Sequence, residues 1–300
     1  MKLRELFYSS FYYVAYRQRS GEGIQSDGIW TVLRSSESEW FADPFLFEWE
    51  GRHFIFAERM NRWRLLGSIA VCEIFDNGKA SKFKEILVEP FHLSFPNVFE
   101  HKGQIYMIPE SGNNRDIRLY QAKRFPNEWE FVKVLYSGAN FVDTSFVSKT
   151  DDDNAFINSY DWDKRKPYYF RFDLNNLSLR KLPDSPALMN ERCGGNCFEE
   201  QGHCYRVLQD CSQRYGKKLL INRIDCDDFE GGGASDQPSI EIQPKDLRLD
   251  TEQRPMCCHI YNRTGSLEVI DFIAERFVWS GPLTSIRNKI FYEKQKAKHA

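Results

Sequence analysis

Phe41-Ala42-Asp43-Pro44-Phe45-Leu46-Phe47-Glu48-Trp49-Glu50-Gly51-Arg52-His53-Phe54-Ile55-Phe56-Ala57-Glu58-Arg59 reads as a β-hairpin. Phe45 and Phe47 alternate along the outgoing strand, Gly51 marks the turn, and Phe54, Ile55 and Phe56 form the return strand. Asp43 opens the first strand and Glu58 closes the second. A hairpin sets those two ends side by side, so two carboxylates share one end of a rigid element.

The pattern recurs. His92-Leu93-Ser94-Phe95-Pro96-Asn97-Val98-Phe99-Glu100-His101-Lys102-Gly103-Gln104-Ile105-Tyr106-Met107-Ile108-Pro109-Glu110 lies on the first hairpin without a gap. Pro96 falls on Pro44, Gly103 on Gly51 and Glu110 on Glu58. Each hairpin is followed by two more strand-like runs: Gly67–Phe75 and Phe83–Val88 in the first unit, Ile117–Ala122 and Trp129–Tyr136 in the second. Further hairpins begin at Phe141, near Gly194 and at Cys258. About five units of roughly 50 residues, each four antiparallel strands, are the signature of a β-propeller. The expected fold is all-β, a five-bladed propeller with a short N-terminal helix. Ile29–Leu33 precedes the first full blade and can complete the last one, locking the ring.

Around this ring the expected organisation is residues 1–27 as N-terminal helix and linker, 28–280 as propeller and 281–300 as a basic tail. Phe7, Phe11, Tyr12, Val14 and Ala15 fit one face of a short amphipathic helix, packed on the domain or resting weakly on a membrane surface. Lys294, Lys296 and Lys298 suit a solvated tail. A net charge of −2 leaves no electrostatic footprint for nucleic acid. No apolar run reaches the roughly 20 residues of a membrane span, and the first residues do not read as a secretory signal. A cytoplasmic location follows, with the 8 cysteines as reduced thiols. Cys193, Cys197 and Cys204 lack the paired Cys-x-x-Cys spacing of a zinc site, so no metal or other cofactor is expected from them.

Propellers bind ligands at one mouth of the central channel. With each unit's first strand innermost, the positions facing that mouth are Asp43 and Glu58, Asn97 and Glu110, Asp143, then Arg206, Gln209 and Asp210, and His259. His92 stands just before the second hairpin. Converging carboxylates suit glycosidic chemistry, in which one protonated acid releases the leaving oxygen while another, ionised, activates or attacks. Crowding and burial drive their pKa values apart. Arg206 can hold an acid ionised or bind an anionic substrate group, and Trp63, Phe91, Trp162 and Tyr215 are candidate sugar-stacking aromatics. The same acids can hold a divalent cation.

Phe41-Ala42-Asp43-Pro44-Phe45, His92 to Phe99, Tyr106-Met107-Ile108-Pro109-Glu110-Ser111, and Gln209-Asp210-Cys211 with Tyr215-Gly216 together resemble the N-terminal propeller domain of plant glucosamine inositolphosphorylceramide transferases and stand-alone bacterial relatives. The resemblance covers roughly residues 28 to 275. More distantly the chain is similar to five-bladed glycoside hydrolases of the arabinanase and invertase kind. That likeness implies Asp43 as base or nucleophile, Asp143 as the tuning or binding acid, and Glu110 as the acid, with Asn97 where a second blade would carry Asp. The implied activity is transfer or cleavage of a glycosyl unit, transfer favoured, in surface-polysaccharide or glycolipid assembly, on a sugar or glycan that is nucleotide- or lipid-linked. The alternative is a non-catalytic glycan-binding or partner-binding module.

Overall fold

The computed structural model describes residues 7–19, 23, 27–151, 153–183, 192–224, 237–283 and 287. Lys294, Lys296 and Lys298 of the expected basic tail, and most of the expected linker, lie outside the described residues.

The chain opens with β1 (Tyr8–Gln18) and β2 (Thr31–Leu33), and then builds its blades in order. The first contains β3 (Glu39–Trp49), β4 (Arg52–Asn61), β5 (Leu66–Ile74) and β6 (Lys84–Leu87). The second contains β7 (Ser94–His101), β8 (Gln104–Ser111), β9 (Asp116–Arg124) and β10 (Glu128–Ser137). The third contains β11 (Phe141–Asp151), β12 (Asn154–Asp161), β13 (Lys166–Asp173) and β14 (Ser178–Lys181). In the fourth, β15 (Arg192–Cys193) and β16 (Phe198–Glu200) share the inner position beside β17 (His203–Asp210), followed by β18 (Lys218–Ile224) and β19 (Gln237–Ile242). The fifth holds β20 (Tyr261–Arg263) and β21 (Leu267–Phe277), and borrows its outer strands β1 and β2 from the start of the chain. The five-bladed propeller is therefore present, with the first strand of each hairpin innermost.

One expectation fails. The expected N-terminal helix is strand β1, paired antiparallel with β21 from Tyr8 opposite Phe277 to Gln18 opposite Leu267. The apolar residues alternate with period two: Phe11, Tyr13 and Ala15 enter the core between blades four and five, while Val14 and Tyr16 enter the core between blades five and one. A strand buried on both faces is apolar throughout, and over so short a run it mimics a helical face. Ring closure thus uses β1 as well as the expected β2.

The repeated hairpins turn alike. Glu50-Gly51, Lys102-Gly103 and Gln201-Gly202 all have positive φ at both residues, the two-residue turn whose twist matches its strands. Five apolar clusters fill the seams between neighbouring blades. That at the third seam is the smallest, Val147, Phe156, Tyr169 and Ile224 with three partly buried neighbours, and buried Arg206 and Asn158 share that region.

The central channel is plugged beneath the mouth. Phe45 and Phe95 meet edge to face at 4.7 Å beside Ile260. Asn97 and Asn196 exchange side-chain hydrogen bonds of 2.8 and 3.0 Å. Asn97 also donates to the Thr144 carbonyl, the Asn196 N–H donates to Asn262 Oδ1, and Asn262 Nδ2 donates to the Pro44 carbonyl. Three asparagines thereby tie together all five inner strands.

Candidate active site

Each of the first three blades carries the same local device at its mouth. The register jumps between Ala42 and Phe45, between Ser94 and Asn97, and between Val142 and Ser145. The first bulged residue in each case has positive φ: Asp43 at 51°, Phe95 at 46° and Asp143 at 54°. A bulge re-aims its side chain, here toward the axis. Phe95, not Asn97, is therefore the second blade's counterpart of Asp43. Asn97 follows the bulge and belongs to the plug below. On the second strands, Glu58 stands opposite Ala42, Glu110 opposite Ser94, Tyr160 opposite Val142 and Gln209 opposite Arg192.

Asp43 sits at the centre. Its Oδ1 is 2.9 Å from His259 Nε2, and its Oδ2 accepts the Phe95 N–H at 3.2 Å. His259 Nδ1 lies 3.0 Å from Asp271 Oδ1. Asp271 also accepts the N–H groups of Asp43, His259 and Ile260. Both imidazole nitrogens face carboxylate oxygens, which only accept, so the ring carries two protons. Burial opposes that charge, but Asp271 and Asp43 together hold the His259 pKa well above its ordinary value.

Asp143 is gripped by Arg192. The guanidinium approaches Oδ2 through Nε at 2.5 Å and Oδ1 through Nη2 at 3.0 Å. Burial pushes the Asp143 carboxyl up and Arg192 pulls it down. The two-pronged contact makes this an ion pair, and it holds Arg192 above its usual range despite burial. Gln209 Nε2 bonds the Cys193 carbonyl at 2.7 Å and reaches Asp143 Oδ2 at 3.5 Å. Trp162 and Tyr215 cover the guanidinium, their ring centres 5.1 and 5.7 Å from it.

Glu110 has no such cation in contact. Its Oε2 accepts the Asp143 N–H at 3.3 Å. Burial first, then the charges of Asp143 and Asp43, raise its pKa to about 8. Glu58 is likewise raised by burial, with His92 opposing. His92 Nε2 lies 3.2 Å from Glu58 Oε1, and His92 Nδ1 accepts the Gly67 N–H at 3.0 Å. Burial disfavours a charged His92 and the carboxyls of Glu58, Glu110 and Asp43 favour it, so the local hydrogen bonds decide. The fixed Gly67 donor requires a lone pair on Nδ1, so we assign the neutral ring with its proton on Nε2, toward Glu58.

The structure thus gathers Asp43, Glu58, His92, Glu110, Asp143, Gln209 and His259 of the expected residues. Three others lie elsewhere. Arg206 is 1% exposed in β17, a layer below the mouth, its guanidinium 5.9 Å from the Tyr169 ring centre. Asn97 is in the plug. Asp210 faces outward to Lys217 and Lys218 and accepts the Ser212 N–H. Among the expected aromatics, Trp162 and Tyr215 are at the mouth, while Phe91 lies under Arg118 and Trp63 under Arg287. Reading the sequence missed Arg192, Asp271 and Tyr12. Tyr12 comes from β1, tilted against Trp40 with ring centres 4.7 Å apart and edge-on to His259 at 5.4 Å. Burial and the nearby Asp271, Asp43 and Glu58 charges keep its hydroxyl protonated.

Donor atoms of Asp43, His259 and Asp271 lie within 4.8 Å of one another, the spacing a metal ion needs. Both His259 nitrogens are already engaged by carboxylates, so a cation there would have to displace the imidazolium proton. Of the cysteines, Cys72, Cys193, Cys197, Cys211, Cys257 and Cys258 are free thiols. Cys204 is disulfide-bonded, against the expectation that all are reduced. Among the described residues no helix is long and apolar enough to cross a membrane.

Residues 31–230 match the family model described as glucosamine inositolphosphorylceramide transferase 1, N-terminal, and the chain belongs to that family. It is 32% identical over 200 residues to the Oryza sativa subsp. japonica protein glucosamine inositolphosphorylceramide transferase 1, a match covering 63% of this chain and 26% of that one. The Arabidopsis thaliana protein of the same name is 30% identical over 198 residues, with 63% and 26% covered. The chain spans about a quarter of the length of these relatives. Among solved structures it is similar to the catalytic domain of the Coprinopsis cinerea GH62 α-L-arabinofuranosidase, with TM-score 0.57, 14% identity, and 87% of this chain and 97% of that one covered. It is also similar to a family 117 glycoside hydrolase produced by the marine bacterium Zobellia galactanivorans, with TM-score 0.54, 10% identity, and 89% and 91% covered. At such identities the likeness is one of fold.

Proposed function

We propose that this member of the glucosamine inositolphosphorylceramide transferase N-terminal family is a carbohydrate-active enzyme that transfers or cleaves a glycosyl unit by carboxylate acid–base chemistry. The observation that carries this reading is the division of labour among three buried carboxyls. Glu110 keeps its proton to about pH 8, whereas Asp43 and Asp143 are ion-paired with His259 and Arg192. Glu110 protonates the leaving oxygen. Asp43 activates the incoming hydroxyl or attacks the anomeric carbon, and its charge stabilises the cation-like transition state. Asp143 tunes Glu110, since its charge is the largest of those raising the Glu110 pKa. Tyr12, Trp162 and Tyr215 offer faces for a sugar ring.

Transfer in surface-polysaccharide or glycolipid assembly, in the cytoplasm, is the specific form of this proposal. A glycan-binding module without turnover is its rival, favoured by one observation: Asp43 and Asp143 are both already held by cations. Incubation with a panel of nucleotide sugars and aryl glycosides, with acceptors and with water alone, followed by mass spectrometry of products, decides among them. Asp43→Asn and Glu110→Gln should each abolish turnover while sugar binding survives. Full activity in both variants would overturn the assignment.

A further inference from the structure

The loop that carries Tyr215 into the site has a second face. Tyr215 lies 5.0 Å from the His259 ring, while Gln213, Arg214 and Lys217 of the same loop turn outward. There, with Lys218, Lys245 and Met256, they line a cavity of about 460 Å³. Four cations and no acid line it. Lys217 and Lys218 are balanced from behind by Asp210, and Lys218 also by Glu241. Arg214 and Lys245 have no carboxylate partner among the described residues. Arg214 is instead aimed by a hydrogen bond from Nη2 to the Met256 carbonyl at 2.9 Å, which leaves the rest of its fork for a ligand.

The cavity and the acid cluster are neighbours. The Cys258 N–H donates to the Gly216 carbonyl at 2.8 Å, stitching the loop to the segment that leads into His259. Gly216 has φ +60°, and a Cβ there would lie 3.1 Å from the Cys258 carbonyl, so the two segments are in close contact. Cys257 lies within electrostatic reach of both Arg214 and His259. The basic cavity thus adjoins the carboxyls across the Tyr215 loop, placed for the distal part of a substrate that passes over Tyr215. The acid cluster itself repels an anion, so the two compartments sort a substrate by charge: the glycosyl unit over the carboxyls, the anionic part over the cations.

We infer that this cavity, bounded by Arg214, Lys217 and Lys245, is an anion subsite that holds the phosphate or diphosphate ester of the substrate. The inference rests on the glycosyl-transfer reading and narrows its substrate class to phosphate-bearing sugars or acceptors. Guanidinium and ammonium groups together suit this ligand, the first as a fork for two oxygens and the second as a point charge.

Calorimetric titration of the full chain with pyrophosphate and with uridine diphosphate tests the subsite. Flotation with phosphatidylcholine vesicles containing a polyprenyl phosphate distinguishes a lipid-borne phosphate from a soluble one. The double variant Arg214→Gln/Lys245→Gln changes two exposed side chains. Thermal unfolding and circular dichroism that match the parent's are the check on its fold. Binding at least about tenfold weaker in the variant, in either arm and relieved by salt, is the expected result. No binding in any arm, or equal binding by the variant, would overturn the subsite. The readout is binding, so it stands apart from turnover. Lost turnover in Glu110→Gln with pyrophosphate still bound supports both assignments, and unaltered turnover there sinks only the acid.

Discussion

Asp43 Oδ1 and His259 Nε2 stand 2.9 Å apart across the seam between the first blade and the last. Behind the imidazole, Asp271 takes the second ring proton and three backbone N–H groups, one of them from Asp43 itself. The central carboxylate thus takes its ion-pair partner from a blade that closes only when β1 docks on β21. Ring closure and site assembly are one event.

Replacing His259 by Gln should expose that dependence. One amide cannot donate to Asp43 and Asp271 as an imidazolium does, so two buried carboxylates lose their counter-charge. Breaking a buried charge pair costs about 3–5 kcal/mol. The folded pKa of His259 is raised, so its contribution is complete below the unfolded value of 6.5 and is lost as pH rises through the higher folded value. Urea midpoints should show the variant far less stable at pH 6 and closer to the parent at alkaline pH. A midpoint unchanged at pH 6 would refute the charged triad.

Glu110 gives the same sign of pH dependence as His259, but for a group that is neutral when protonated, so here it is the ionised form that destabilises the fold. Between its ordinary value of 4.5 and about 8 the folded chain holds a proton that the unfolded chain releases. Stability must then fall as pH rises across that window. At about 1.4 kcal/mol per tenfold change in proton affinity, the whole effect is at most about 5 kcal/mol. Glu110→Gln removes it, so the variant should be more stable than the parent at pH 8 to 9 while inactive. In the parent, turnover should decline near pH 8 as the acid loses its proton. Equal pH dependence of unfolding in both proteins would contradict a protonated Glu110.

The parts of this site legible in the sequence are those the repeat carries. The ungapped match of the first two hairpins located Glu58 and Glu110 at one position of their blades. The match also sets Phe95 on Asp43, but an Asn two residues later drew attention by its chemistry. The bulge explains why position and chemistry disagree: Phe95 takes the bulged position that Asp43 holds in the first blade, and Asn97, beyond the bulge, falls in the plug below. Asp271 was visible at the end of the fifth unit, yet its role depends on accepting backbone donors, which a sequence does not display. Arg192 lies in a two-residue strand that matches no repeat. Tyr12 was hidden by the strand misread as a helix, since ring closure pairs it with Ile273 at the far end of the chain.

Gly67 offers a test of the Glu58–His92 arm. A Cβ there would lie 2.6 Å from His92 Cε1, 2.6 Å from the Leu93 carbonyl and 2.9 Å from Glu58 Oε1. The carbonyl is backbone and cannot swing aside, so β5 and the segment before β7 must part. Gly67→Ala should cost about 1–3 kcal/mol and separate His92 from Glu58. If Glu58 and His92 support the neighbouring acid, activity should fall in this variant well before the protein unfolds, measured at a temperature below both midpoints. A variant with parental stability would show that the close approach is not real.

Asn97 was expected to bind substrate, and the structure gives it a different task that can be separated experimentally. With Asn196 and Asn262 it bridges the inner strands below the site, and both it and Asn262 are at least 95% buried. Asn196 is the hub: its Oδ1 accepts from Asn97 and from the Phe146 N–H, and its Nδ2 donates to Asn97. Asn196→Ala leaves the Asn97 amide and the Phe146 N–H without these partners. An unsatisfied buried polar group costs about 1–3 kcal/mol, so a loss of about 2–5 kcal/mol is expected. Because the plug joins all five blades, the loss should appear as one cooperative shift in the thermal midpoint, not as early loosening of one blade. Sugar affinity, measured well below the midpoint, should stay within about twofold of the parent. A variant with parental stability and weakened sugar binding would return the asparagines to the binding site and refute the plug.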